Sequence, residues 1–180
     1  MTRPSIPTDQ LVVRLTDAGT FTNRCHVFEP ADIGAINAAL AARRPLLIRG
    51  EPGTGKTQLA EAAAAALDWP IVSHTVDART EARDLLYEVD FVLRLAKAQL
   101  RGAVTGVEVD EIRDELQLSN FTRPGPLWWG LDWDGADKLP LKTEPQPPEG
   151  WNPGDGCVVL IDEIDKAEAD VPNGLLEALG

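Results

Sequence analysis

The sequence has few residues that could form covalent or metal-held cross-links. Only two cysteines, Cys25 and Cys157, occur among its 180 residues. They lie far apart, with no C-x-x-C spacing and no nearby histidine pair. This pattern excludes a disulfide framework and gives no indication of a zinc site. We expect two ordinary thiols.

Long apolar runs are also absent. The longest apolar-rich stretch, residues 59–67, is interrupted by Glu61 and is far too short to span a bilayer. The N-terminus has no apolar signal-peptide core. We therefore expect a cytoplasmic protein without a membrane segment. Its 43% apolar and 26% charged residues are typical of a single globular domain.

Basic residues are scarce relative to acidic ones. The chain has 17 Lys and Arg against 29 Asp and Glu, which gives a net charge of −12. Proteins bind nucleic acid without sequence preference by neutralising phosphates with Lys and Arg, so direct nucleic-acid binding is disfavoured. A nucleotide would also be repelled unless a local site of oriented N–H groups, a lysine and magnesium overrides the net charge.

A glycine-rich motif follows the apolar residues 45–48. Residues 50–57, G-E-P-G-T-G-K-T, fit the phosphate-loop pattern G-x-x-x-x-G-K-[ST], which arises by chance in roughly 0.6% of chains of this length. Gly53 and Gly55 would let backbone N–H groups approach a phosphate, and Lys56 at a helix start calls for an anion nearby. The predicted nucleotide-binding residues are Gly50, Glu51, Pro52, Gly53, Thr54, Gly55, Lys56, Thr57 and Gln58.

The segments around this loop alternate between strand and helix patterns. Such alternation predicts an α/β fold with a parallel sheet. Residues 1–30 form an N-terminal segment with one or two short strands, and residues 31–180 form the main domain. The predicted elements are a helix over 31–44 capped by Asp32, a strand over 46–49, a helix over 56–67, a strand over 69–76 and a helix over 80–100.

Residues 101–156 depart from this alternation. They are first acidic and then dense in proline, glycine and tryptophan, which predicts an insertion of irregular structure. Its tryptophans carry a large apolar area that either packs on the same domain or forms a contact surface for a partner. They are Trp128, Trp129, Trp133 and Trp151.

A second motif lies near the end of the chain. Residues 157–161 are apolar and lead into Asp162 and Glu163, which is typical of a parallel strand buried on both faces. Ligands bind at the carboxyl ends of such strands. Thr57 and Asp162 suit the hydroxyl and carboxylate positions around magnesium. We predict that Glu163 acts as general base and that Lys56 is the catalytic lysine at the phosphates.

Two further interpretations concern the surroundings of this motif. Asp162 and Glu163 could also be part of a solvated acidic run that continues through Asp165, Glu168 and Asp170. His74 and Thr75, near the end of the second predicted strand, either hold Glu163 or sense the γ-phosphate, or simply satisfy neighbouring backbone groups.

At these residues the sequence resembles the AAA+ ATPases. Residues 50–57 look like their Walker A motif, and residues 158–163, V-V-L-I-D-E, look like their hhhhDE Walker B motif. Other segments are similar to the MoxR-type branch, which carries an insertion in its second helix. These segments are residues 80–86, Gly125-Pro126-Leu127, and residues 164–167 followed by Val171 and residues 175–179.

The resemblance implies a particular activity. Proteins of this kind bind ATP with Mg²⁺, form homo-oligomeric rings and couple hydrolysis to the remodelling of a protein partner. MoxR-type members often act with a von Willebrand factor A domain protein. Two alternatives stay open: a nucleotide-binding or assembly module without hydrolysis of its own, and a GTP-using module of the McrB-like branch. No N/T-K-x-D guanine signature is visible, which favours ATP.

The resemblance also implies a P-loop NTPase sheet with flanking helices that is incomplete at the C-terminus. Family members continue through a sensor strand, an arginine finger and a helical lid. Their sensor strand lies between the two motif-bearing strands, so we expect a gap at the centre of the sheet. Because unpaired strands are costly against total stabilities of roughly 5–15 kcal/mol, we expect a piece of a longer or split protein.

Overall fold

The computed structural model describes residues 4–16, 22–103, 108–143, 145–167, 171–172 and 175. They form two compact units. The first draws on the ranges Met1–Thr75, Pro145–Asp162 and Leu175–Gly180, and the second on Val76–Glu144 and Glu163–Gly174. None of the described helices is long and apolar enough to cross a bilayer.

Six strands and six α-helices are described. The strands are β1 (Val12–Arg14), β2 (Cys25–Val27), β3 (Ile71–Thr75), β4 (Tyr87–Val89), β5 (Thr122–Pro124) and β6 (Val158–Asp162). The helices are α1 (Pro30–Ala42), α2 (Lys56–Leu67), α3 (Phe91–Gly102), α4 (Val109–Glu115), α5 (Pro126–Leu131) and α6 (Trp133–Asp137).

The first unit confirms most of the predicted elements. Strands β1 and β2 pair antiparallel, and β3 pairs parallel with β6. Helices α1 and α2 lie where apolar periodicity predicts them. The N-cap of α1 is Glu29, whose backbone N–H donates to the Asp32 carboxylate at 3.0 Å, so Asp32 completes a capping box from the N3 position. The predicted cap is therefore displaced by one turn.

The core of the first unit joins the β1–β2 hairpin to the two helices. Its buried members include Phe28, which directly follows β2, Ile33 and Ile36 of α1, and Ala62 and Ala63 of α2. The short side chains of α2 allow close packing of this helix, which carries the glycine-rich loop at its start. The hairpin therefore packs against α2, the helix that follows the glycine-rich loop.

The strand predicted over residues 46–49 is wrong. This segment has no regular secondary structure, and Leu46 and Leu47 are exposed. A strand needs a neighbour for its N–H and C=O groups, and the parallel sheet in the described part of the chain contains only β3 and β6. An apolar sequence pattern alone does not supply that neighbour.

The second unit corrects the predicted helix over residues 80–100. It is divided into a 3₁₀ turn at Ala82–Leu85, strand β4 and helix α3. Strand β4 pairs antiparallel with β5, whose residues lie more than 30 positions further along the chain. Long-range pairing here overrides helical periodicity. Asp90 then starts α3, because its carboxylate accepts a hydrogen bond from the Leu93 N–H at 2.8 Å.

The predicted irregular segment over residues 101–156 also contains regular structure. Helices α4, α5 and α6 and strand β5 all lie within it. Its tryptophans pack inside their own units: Trp129 is buried and meets the Trp133 ring edge-on, and Trp128 meets Tyr87 in the same way. These contacts favour the packing interpretation over a partner surface.

Gly125 has no room for a side chain, which leads to a prediction about stability. A Cβ there would lie 2.6 Å from the backbone of Asp84 and Leu85. We expect Gly125→Ala to destabilise the second unit by about 3 kcal/mol, because backbone atoms cannot move aside as a flexible side chain can. Urea denaturation measures this change.

The matched control is Gly102→Ala, at the end of α3, where a Cβ meets nothing within 4 Å. This variant should unfold at or slightly above the wild-type urea concentration. Equal stability of both variants would show that the close approach at Gly125 is not present in solution.

Candidate functional site

The glycine-rich loop adopts a conformation that requires its glycines. Gly53 has φ of 79° and Gly55 has φ of 85°, both in the left-handed region that other residues rarely adopt. Gly55 is the N-cap of α2 and offers no side chain to cap it. The first N–H groups of α2 therefore face an exposed loop without a capping side chain, an arrangement suited to an anion.

The side chain of Lys56 forms hydrogen bonds within the glycine-rich loop. Its Nζ donates to the carbonyl oxygens of Gly50 and Glu51, each at 2.9 Å. Thr54 also bonds to the Glu51 carbonyl, through its Oγ1 at 2.9 Å. The loop is thus held by internal hydrogen bonds and carries a positive charge at its centre. This matches the electrostatics that phosphate binding needs.

The two predicted magnesium ligands lie side by side. Thr57 Oγ1 donates to Asp162 Oδ2 at 2.6 Å, although the residues are 105 positions apart. Thr57 lies in the first turn of α2, and Asp162 is the last residue of β6. A hydroxyl and a carboxylate are hard oxygen donors, and Mg²⁺ commonly takes only one or two protein ligands besides phosphate and water. The donor set therefore fits a nucleotide-bound magnesium ion.

No cluster of three or more His, Cys, Asp or Glu side chains that could hold a metal occurs among the described residues. A metal ion held by protein side chains alone is therefore not indicated in that part of the chain. The Thr57 and Asp162 pair instead needs oxygen atoms from a bound phosphate to complete a coordination shell.

Glu163 follows Asp162 directly and has an unusual backbone. Its φ is 57° and its ψ is 34°, left-handed values that are rare outside glycine and often occur at functional sites. Its carboxylate accepts from the Nζ of Lys166, within the second unit. Of the other acidic residues, Asp165 is exposed, and Glu168 and Asp170 lie outside the described residues, as do residues 176–179 of the MoxR-like segment.

The parallel pairing of β3 with β6 determines which residues of β3 lie beside Asp162. Thr75 is in register with Asp162, and His74 with Ile161. The Nε2 atom of His74 is buried and has no hydrogen-bond partner in the part of the chain that the structure describes. Thr75 is exposed on the same side of the sheet as Asp162, since in-register residues of parallel strands project to one face.

Two contacts between the hairpin and α2 could not be predicted from any pattern in the sequence. The Nδ1 of His26 lies 3.4 Å from Oε1 of Gln58, the residue after Thr57. Arg24 forms a 2.6 Å ion pair with Glu61 on the same helix. Neither partner can be inferred from spacing, because the residues are more than 30 positions apart. These contacts hold the start of α2 against the N-terminal segment.

Aromatic side chains position the start of β6. A Cβ on Gly156 would lie 2.9 Å from the Trp69 ring, and its φ of 114° already favours glycine. Trp151 donates from Nε1 to the Gly156 carbonyl at 2.8 Å. These contacts hold the chain at Gly156, two residues before β6 begins.

The two thiols should react at different rates. Burial raises the pKa of Cys157 from 9.0 to about 11, whereas Cys25 is exposed. At pH 8 the Cys157 thiolate fraction is then on the order of 10⁻³, against about 10⁻¹ for an ordinary thiol, so we expect about 100-fold slower alkylation. Iodoacetamide labelling followed by peptide mass spectrometry measures both rates.

The same shift has a consequence for stability. Because the pKa of Cys157 is raised on folding, the contribution of the protonated thiol to the free energy of unfolding is fully present below about pH 9 and is lost as the pH rises towards about 11.

The labelling experiment has its own control: in urea, iodoacetamide should alkylate both thiols equally fast. Native labelling of Cys157 as fast as that of Cys25 would contradict its burial.

A loop of this geometry at the start of α2, with an acidic residue at the end of a parallel strand beside it, defines a partial P-loop nucleotide-binding fold. Residues 45–180 match the family model of the AAA domain, dynein-related subfamily, so the chain belongs to the AAA family. It is therefore an ATP-binding module in the general sense that this family defines. No curated protein and no solved structure matches the chain significantly.

Proposed function

We propose that this chain is the ATP-binding and ATP-hydrolysing part of a MoxR-like machine that remodels a partner protein. The observation that carries the proposal is the 2.6 Å contact between Thr57 and Asp162. It joins the loop that holds phosphates to the strand end that supplies a carboxylate, as nucleotide hydrolysis with magnesium requires.

The proposed roles follow from position and chemistry. Residues 50–58 surround the phosphates, which bind to the ammonium of Lys56 and to backbone N–H groups of the loop residues other than Pro52. Thr57 and Asp162 hold Mg²⁺, which when bound neutralises charge on the phosphate oxygens. Glu163 accepts a proton from the attacking water. Such a carboxylate must be free to reach the water, so its ion pair with Lys166 has to open first.

That ion pair favours a second candidate function. If this ion pair stays closed when nucleotide is bound, Glu163 does not act as a base, and the module would bind nucleotide and assemble without turnover of its own. A turnover assay of the full chain separates the two candidates, provided that circular dichroism shows a folded protein.

The finer assignment to the MoxR-like branch is supported by the sequence of the Gly125-Pro126-Leu127 segment and by the insertion around residues 101–156. It implies a homo-oligomeric ring, which AAA modules commonly form, and a protein substrate or von Willebrand factor A domain partner. Sedimentation with and without nucleotide tests ring formation. Use of GTP, as in the McrB-like branch, remains the alternative.

Nucleotide titration is the direct test of the proposal. We expect the full chain to bind a fluorescent ATP analogue, more tightly with Mg²⁺ than with EDTA, because Thr57 and Asp162 contribute only through the metal. Unlabelled ATP should displace the analogue better than GTP. Absence of ATP binding by the folded chain would refute the proposed function, and preference for GTP would redirect it to the alternative branch.

A further inference from the structure

Strand β2 and its flanking residues turn every second side chain toward α2. Arg24, His26 and Phe28 are partly or fully shielded from solvent, whereas the two residues between them are exposed. Successive side chains of a strand point to opposite faces, so these three share the inner face of the hairpin. Phe28 enters the core of the first unit, and Arg24 pairs with Glu61 of α2 at 2.6 Å. His26 lies between these two anchors.

His26 reaches the first turn of α2 through one ring nitrogen. Its Nδ1 lies 3.4 Å from Oε1 of Gln58. An amide oxygen can only accept a hydrogen bond, so the imidazole donates from Nδ1–H. The other ring nitrogen, Nε2, is buried and has no partner among the described residues. The Phe28 ring lies edge-on to His26 at a centroid distance of 5.0 Å, so packing against the core orients the imidazole.

Gln58 occupies a position from which a side chain can cap a helix. Gly55 is the N-cap of α2, which makes Gln58 the N3 residue. The side chain of an N3 residue can accept a hydrogen bond from the backbone N–H of the N-cap residue. Helix α1 has this bond, because Asp32 at N3 accepts from the Glu29 N–H at 3.0 Å. In α2 the oxygen of the N3 side chain instead meets His26.

The backbone N–H of Gly55 is consequently left open. Among the residues that the structure describes, no acceptor for this N–H is found. The Gln58 oxygen is nevertheless close, since a Cβ built on Gly55 would lie 3.9 Å from Oε1. Rotation of this flexible side chain would bring the oxygen to the loop. There it would occupy a donor and place partial negative charge where a phosphate is expected to bind.

We propose that His26 is a positioning residue for nucleotide binding. Its Nδ1–H holds the Gln58 carbonyl oxygen away from the glycine-rich loop, which keeps the Gly55 N–H free for a phosphate. Without that donor, the oxygen competes with the nucleotide for the loop, and only the uncapped fraction of the chain binds. This inference rests on the proposed nucleotide-binding function and adds to it a role for the N-terminal hairpin.

Titration of the full chain with a fluorescent ATP analogue and Mg²⁺ tests the role of His26. His26→Phe keeps an aromatic ring beside Phe28 but removes the donor, and His26→Ala removes both. Each should raise Kd about three- to tenfold, because the analogue then competes with one neutral hydrogen bond. The amide nitrogen of His26→Asn takes the place of Nδ1 and should restore Kd to within about twofold of wild type.

Two comparisons separate positioning from packing. In a Gln58→Ala chain the competing oxygen is absent, so adding His26→Phe should change Kd by less than about twofold. The matched control is Arg24→Ala, which removes a different contact between the hairpin and α2. It does not release the Gln58 oxygen and should leave Kd within about twofold of wild type.

The inference is overturned if the folded His26→Phe and His26→Ala variants bind the analogue as tightly as wild type. It is also overturned if His26→Phe costs as much affinity in the Gln58→Ala chain, or if Arg24→Ala costs as much as His26→Phe. Circular dichroism reports folding, and either His26 variant suffices if the other does not fold. A wild-type chain that binds no analogue refutes the proposed function itself, whereas the results above refute only the role of His26.

Discussion

Replacing Lys56 with alanine should abolish detectable nucleotide binding by a chain that is still folded. The ammonium lies between the Gly50 and Glu51 carbonyls, at the centre of the loop that would surround the phosphates. Each hydrogen bond to a charged group contributes about 1.5–3 kcal/mol, so losing two to a phosphate should raise Kd on the order of 10² to 10⁴-fold. Titration with a fluorescent ATP analogue measures this change.

The control for this prediction is Lys138→Ala, which removes an exposed lysine of the second unit. It changes the net charge equally but should leave the Kd unchanged. Thermal unfolding of both variants should resemble that of the wild type, because Lys56 bonds only carbonyls of its own exposed loop in the contacts described above. Unaltered ATP affinity in folded Lys56→Ala would remove Gly50 to Gln58 from the proposed site.

The second large effect is expected at Glu163. Glu163→Gln keeps the shape of the side chain but cannot accept a proton, so ATP should bind as before while turnover falls on the order of 10² to 10⁴-fold. Phosphate release under saturating ATP and Mg²⁺ measures turnover. A parallel titration of the same variant measures binding, which separates loss of chemistry from loss of affinity.

Two further variants make this result specific. Asp165→Asn neutralises an exposed carboxylate two positions away and should have no effect on turnover. Lys166→Met removes the ion pair with the Glu163 carboxylate and should raise turnover if that ion pair restrains the base. Turnover that survives Glu163→Gln would exclude the base role. Absence of turnover in the wild type and in Lys166→Met would favour the module that binds nucleotide without hydrolysis.

The site itself was largely predictable from the sequence. The glycine-rich loop and the start of α2 are specified by adjacent residues, since positive φ at Gly53 and Gly55 is a local property. The acidic end of β6 is likewise encoded by a short apolar run that stops at Asp162. The roles of these residues in binding and catalysis stay predictions until the variants are measured.

Other features could not be read from local patterns. An apolar run at residues 46–49 has the composition of a strand, but a strand exists only where another chain segment supplies hydrogen bonds. Periodic apolar residues over 80–100 suggest one helix, yet pairing of β4 with β5 divides them. In the first case no described segment supplies a strand partner, and in the second the partner lies more than 30 positions away, so neither outcome follows from the periodicity of neighbouring residues.

The sequence alone therefore determined which chemical groups are available to the chain, namely a phosphate loop, a hydroxyl and two carboxylates. It also indicated the family. The tertiary structure decided which of these groups meet. It brought Thr57 Oγ1 to 2.6 Å from Asp162 Oδ2 and paired Lys166 with Glu163. It also paired Arg101 with Glu115, which leaves the apolar side of α3 exposed. The reason is that local conformation depends on neighbouring residues, whereas ion pairs, sheet partners and exposed surfaces depend on residues distant in the chain.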